Sequence, residues 1–211
     1  MGWATLLAIL GGLASLPWLA ESRRSSADAF RKKAPGRFAK LTQGVTHYQW
    51  LGRVRGPVVV CIHGLTTPSP VWYAIAQGLA GLGYRVLVYD LYGRGFSDAP
   101  RGPQTGDFFA RQLSDLLEHQ ELEDDVTLMG YSMGGSIATH FTAKYPDRVR
   151  RMILLASGGA WLREAKLTEF CRKTPFAGDW GHAVIAAGKD RRALRSRLGR
   201  TFDIRGIVEL Q

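Results

Sequence analysis

Three short apolar runs constrain the fold of this chain more than any other feature. Val58-Val59-Val60-Cys61-Ile62, Tyr84-Arg85-Val86-Leu87-Val88-Tyr89 and Val126-Thr127-Leu128-Met129 each have the length of a strand, and each gives way to a turn that carries glycine. Side chains that are apolar at successive positions suit strands covered on both faces, as in a parallel sheet. Between and after them, periodicity predicts helices near 71–82, 108–119 and 135–145, and a further strand at 152–156. Strand and helix alternate as right-handed crossovers require, so the expected fold is α/β, a mostly parallel, doubly wound sheet. Residues 45–51 alternate polar with apolar and read as an antiparallel edge strand or hairpin arm. In open sheets of this kind ligands gather at the carboxyl ends of strands, where His63, Asp90 and Ser132 fall.

The turn after the third run is Gly130-Tyr131-Ser132-Met133-Gly134, lying between strand-like and helix-like sequence. A strand that turns abruptly into a helix forces its central serine into a strained conformation, and side chains at Gly130 and Gly134 would collide there. The hydroxyl then stands exposed at the start of the helix. The Met133 N–H and the positive end of the helix face the space where a substrate oxygen would gather charge.

Taken together, HGLTTPSPVW from His63, DLYGRGFSD from Asp90 and GYSMGG from Gly130 resemble, in order and spacing, the motifs of the α/β-hydrolase superfamily, over roughly 44–157. The resemblance implies an α/β-hydrolase fold with a helical lid and a triad of serine, acid and histidine. Ser132 matches the nucleophile, and Leu65 and Met133 match the residues whose backbone N–H groups form the oxyanion hole. His63 and Gly64 match the family's structural His-Gly turn, and Asp90 the residue that holds the glycine-rich loop together. The implied activity is that of a serine hydrolase of carboxylic esters, resembling the monoacylglycerol lipases and working through an acyl-enzyme on Ser132. Other members cleave amides or C–C bonds with the same triad. Epoxide hydrolases and dehalogenases place Asp where Ser132 stands.

The triad partners are harder to find. His47 lies in the first strand candidate, His119 and His140 lie within helices, and His182 alone falls in a loop, which makes it a weak candidate for the base. Ser157, Gly158, Gly159 and Ala160 follow the strand at 152–156, so no carboxylate stands there. Beyond Ser157 no strand-like run recurs, and 158–211 reads as a helical lid that stops in mid-helix. The expectation is therefore a C-terminally truncated member, with the final strands, the acid and the catalytic histidine missing. The alternative function is that of a catalytically impaired fragment that retains the nucleophile and oxyanion hole.

At the amino terminus, 1–22 is apolar and free of ionisable side chains until Glu21, and about 20 helical residues can just span a bilayer. Seven basic residues then follow in 23–43, a juxtamembrane linker in this reading: Arg23, Arg24, Arg31, Lys32, Lys33, Arg37 and Lys40. The positive-inside rule predicts a single-pass anchor with the hydrolase domain, 44–157, on the cytoplasmic side. The formal net charge of +10 is concentrated in 21–40 and 189–211, and no nucleic-acid motif accompanies either segment. The expected partners are an ester or lipid substrate and a membrane, not nucleic acid. Both Cys61 and Cys171 read as reduced. Neither a zinc spacing nor a phosphate loop is present, so no metal or cofactor is expected. Oligomeric state is not readable.

Overall fold

A computed structural model describes residues 2–22, 31–32, 34–122, 124–158 and 174. The sheet lies in the compact unit Ser25–Leu162, and the amino-terminal helix belongs to a separate unit. Six strands form one sheet in the order β1-β2-β4-β3-β5-β6. They are β1 (Arg37–Leu41), β2 (Gly44–Gly52), β3 (Val58–Ile62), β4 (Arg85–Tyr89), β5 (Val126–Tyr131) and β6 (Val149–Leu155). The last four run parallel to one another, while β1 and β2 form an antiparallel hairpin against β4. β1 comes from residues that the sequence had assigned to the basic linker. Arg37 and Lys40 disguise a strand whose Ala39 is fully buried.

Helices cover both faces of the sheet. On one side α2 (Tyr73–Gly81) and the 3-10 turn before it, Ser69–Trp72, bring Trp72 and Ala76 onto Val59, Cys61, Val86 and Val88. Pro70 starts this segment as a tighter turn, so the α-helix begins later than periodicity predicted. On the other side α3 (Gly106–His119) and α4 (Met133–Lys144) pack Leu113, Leu117, Ile137 and Phe141 against Val60, Leu87 and Leu128. Thr105 caps α3 by accepting from the Phe108 N–H at 3.2 Å. Asp107 in its first turn binds Lys144 and His140 of α4. Cys61 sits fully buried in β3 between β4 and β5, and burial pushes its thiol up to about 12.

The amino-terminal segment forms a single helix, α1 (Trp3–Ser22). Even so, no helix among the described residues is long and apolar enough to cross a membrane, which corrects the expectation of a transmembrane anchor. Gly11, Gly12, Ser15 and Pro17 dilute the apolar run, and the Ser15 hydroxyl donates to the Gly12 carbonyl at 2.8 Å. The proposed lid at 158–211, including His182, lies outside the described residues apart from Gly158 and Thr174.

Candidate active site

Ser132 stands between the end of β5 and the first residue of α4, with φ 53° and ψ −120°. A positive φ in a residue with a Cβ costs on the order of 1–3 kcal/mol, and it persists only where the surroundings enforce it. Here the Ser132 N–H donates to the Leu155 carbonyl at 3.0 Å, and the Ser132 carbonyl accepts from Gly135 and Gly158, both at 2.9 Å. The serine is thus pinned to β6, to its own helix and to the turn beyond β6.

Three glycines make this turn possible for steric reasons. A Cβ on Gly130 would lie 2.5 Å from the Gly134 carbonyl oxygen, and one on Gly134 would strike the Ile62 carbonyl oxygen of β3. A Cβ on Gly64 would come within 3.2 Å of the Ser132 Cβ, so the chain leaving β3 passes directly beside the serine. Backbone cannot yield as a flexible side chain can. Gly134→Ala is expected to destabilise the chain by about 1–3 kcal/mol or more, read as a lower urea midpoint. An unchanged midpoint would show that β3 and α4 do not approach as closely as described.

Gly64 leads into Leu65, which is 52% exposed. Neither the Leu65 N–H nor the Met133 N–H donates to a described group, and the latter is the first amide of α4. The Leu65 peptide is held from its other side, where Arg94 Nε donates to the Leu65 carbonyl at 3.3 Å. Arg94 is itself fixed by the Tyr92 carbonyl and Gln104, each at 2.7 Å.

His63 is fully buried, with both ring nitrogens occupied. Its Nδ1 donates to the Gly64 carbonyl at 2.7 Å, and its Nε2 accepts from the Leu91 N–H at 2.9 Å. Burial holds the imidazole below its usual value and nearby Arg94 adds to this, against the opposing pull of the Gly64 carbonyl and Asp90. The ring links the loop after β3 to the loop after β4.

Asp90 is 1% exposed and accepts hydrogen bonds from three separate segments. Its carboxylate meets His47 Nδ1 at 2.8 Å, the Ser69 N–H at 2.8 Å and the Phe96 N–H at 3.0 Å. Burial by itself would raise this carboxyl, but the bonds from His47, Phe96 and Ser69 outweigh it and hold it below the ordinary carboxylate value. The second ring nitrogen of His47 faces the Pro35 carbonyl. Ser97 completes the cluster by donating to the Asp90 carbonyl at 2.6 Å and accepting from the His47 N–H at 2.9 Å. Sequence reasoning missed His47, the hydroxyls of Ser97 and Ser136, and the Gly158 amide. His47 was hidden because its partner is set by the β2–β4 register, and Ser136, which donates to the Gly158 carbonyl at 2.6 Å, carried no local signal.

The described histidines do not reach Ser132. His47 and His63 are engaged as above, His119 stacks edge-on with Tyr48, and His140 pairs with Asp107 at 3.0 Å. His182, the fifth of five, lies outside the described residues.

A mostly parallel sheet flanked by helices, with a strained serine between a central strand and a helix amino terminus, defines an α/β protein with a strand-turn-helix serine at the carboxyl end of its sheet. The family model described as alpha/beta hydrolase fold matches residues 57–183, and the chain belongs to that family. An uncharacterized protein of Mycobacterium tuberculosis is 36% identical over 104 residues, covering 49% of this chain and 30% of that one. Lipase 1 of Psychrobacter immobilis is 33% identical over 111 residues, covering 52% of this chain and 34% of the lipase. Among solved structures, a thermophilic esterase from Thermogutta terrifontis superimposes with a TM-score of 0.59 at 29% identity, covering 65% of this chain and 52% of the esterase. The chain thus spans about a third of the length of these two curated relatives. Its relatives include esterases and a lipase, and it is a hydrolase-family chain with esterase-like homologues.

Proposed function

We propose that this chain is a serine hydrolase of carboxylic esters, lipid esters among them, that works through an acyl-enzyme on Ser132. The observation that carries this reading is the enforced positive φ of Ser132 at the amino terminus of α4, beside Gly64. Ser132 Oγ attacks the ester carbonyl carbon and loses its proton to a base. The carbonyl oxygen becomes an oxyanion, which accepts from the Leu65 and Met133 N–H groups. Collapse expels the alcohol, which takes up the proton, and water then cleaves the acyl-enzyme to release the acid and restore Ser132. His63 and Asp90 hold the loops that present these donors and take no part in proton transfer. The esterase and lipase likenesses support the ester over other acyl groups.

A second reading is favoured by the histidine geometry: the chain keeps the nucleophile and the two donors, but among the described residues no histidine reaches Ser132 to form an acid-base relay. His182 is the candidate base in the first reading and is irrelevant in the second. A fluorophosphonate probe separates them. Rapid labelling at Ser132 that is lost in His182→Ala supports the hydrolase. Absence of labelling in folded chain supports the relay-less form, and labelling at a residue other than Ser132 sinks both.

A further inference from the structure

The hairpin at the edge of the sheet is stepped. β1 ends its pairing with Arg37 opposite Tyr48, while β2 continues through Gly52 with β4 on its inner side only. The step forms an open groove of about 530 Å³, lined among others by Arg37, Tyr48, Trp50, Arg53 and Arg85. That volume is within the roughly 300–1,000 Å³ typical of small-molecule sites. No carboxylate lines the groove, and none of its three guanidinium groups makes an ion pair with a described residue.

Arg85 is the informative member. Its guanidinium lies over the Trp50 ring at 4.4 Å from the centroid, and the indole is itself fixed by Trp50 Nε1 donating to Gln120 at 2.8 Å. Stacking sets the plane of the guanidinium in advance, yet its Nε–H is buried with no hydrogen-bond partner among the described residues. A buried, unmet donor leaves the cation incompletely solvated, and an anion in the groove offsets that cost at the rest of the guanidinium. Arg37 and Arg53 flank it at exposed positions, and Gly36 and Gly52 take positive φ there, where a Cβ would strike Gln49 and the Tyr84 carbonyl oxygen.

We propose that this groove binds a phosphate-type oxyanion, with the Arg85 fork as its anchor and Arg37 and Arg53 supplying the remaining charge. Guanidinium groups match the tetrahedral oxyanion with paired N–H donors, and three of them suit a doubly charged group better than a single carboxylate. Arg85 opens β4 whereas Asp90 follows its end, so the groove is at the opposite end of the strand from the Ser132 turn, about 15 Å along it. The site is therefore independent of acyl transfer. The phosphate can belong to a free small molecule or to a lipid headgroup, and the chemistry of recognition is the same.

Calorimetry of the full chain with inorganic phosphate at low ionic strength tests the first source. Flotation with phosphatidylcholine vesicles, with and without phosphatidic acid, tests the second. Arg85→Gln and Arg53→Gln should each weaken binding by at least about tenfold, while Arg101→Gln, outside the groove, should leave it unchanged. Arg53 is exposed, so its variant keeps the test valid should Arg85→Gln fail to fold. Arginine-dependent binding of phosphate supports a free ligand, and arginine-dependent binding of the phosphatidic acid vesicles alone supports a headgroup. Binding by neither, or binding that is equal in all three variants, overturns the proposal.

Discussion

Ser132→Ala is expected to abolish fluorophosphonate labelling and to lower the hydrolysis of a p-nitrophenyl ester by a factor of about 10⁴ or more, if the relay is intact. The variant removes the Oγ and leaves the turn, because the strain at φ 53° belongs to the backbone and its three hydrogen bonds. Its melting midpoint should therefore stay near that of the parent, or rise slightly as the hydroxyl leaves a partly buried position. Loss of activity with retained stability is the signature of a nucleophile. Equal ester hydrolysis by parent and variant, at a rate well above the uncatalysed one, would place the reaction elsewhere on the chain. A parent no faster than its variant, with no labelling of either, would favour the relay-less reading.

Asp90→Ala is expected to have the largest effect on the fold, destabilising it by about 3–5 kcal/mol. Three groups lose their acceptor at once: the buried ring of His47 and the amides of Ser69 and Phe96. The loop carrying Arg94 would loosen next, and with it the Leu65 carbonyl that Arg94 holds. Residual folded protein should thus label more slowly at Ser132 although no reacting group has changed. The pH dependence follows from the depressed carboxyl of Asp90. The stability it contributes is fully present above the ordinary carboxylate value, near pH 4, and disappears as pH falls through the lower folded value. Acid unfolding curves of parent and Asp90→Ala should therefore converge toward low pH, and parallel curves would contradict this account.

How far the sequence revealed this molecule depended on the range of the interactions involved. β3, β4 and β5 were readable because strands buried on both faces leave unbroken apolar runs, and Ser132 with Gly130 and Gly134 was readable because its turn is local. β1 was not, since Arg37 and Lys40 are exposed in a strand of which only Ala39 is completely buried. The approach of Gly64 to Ser132 depends on β3 lying beside β5, and the His47–Asp90 pair depends on the antiparallel register of β2 against β4. Neither neighbour relation is written in any one segment. The apolar amino terminus misled for a related reason: an absence of charge was given more weight than the glycines and proline within it.

The thiol in the middle strand of this sheet gives the molecule a chemical clock. Cys61 has no exposed surface, and a thiol held near 12 carries almost no thiolate at neutral pH. A maleimide can reach it only during moments when the cover of Trp72 and Ala76 lifts from this face of the sheet. The rate of alkylation at this one position, followed by peptide mass spectrometry, therefore counts openings over the sheet's centre, and it would report on each substitution above without any substrate being known.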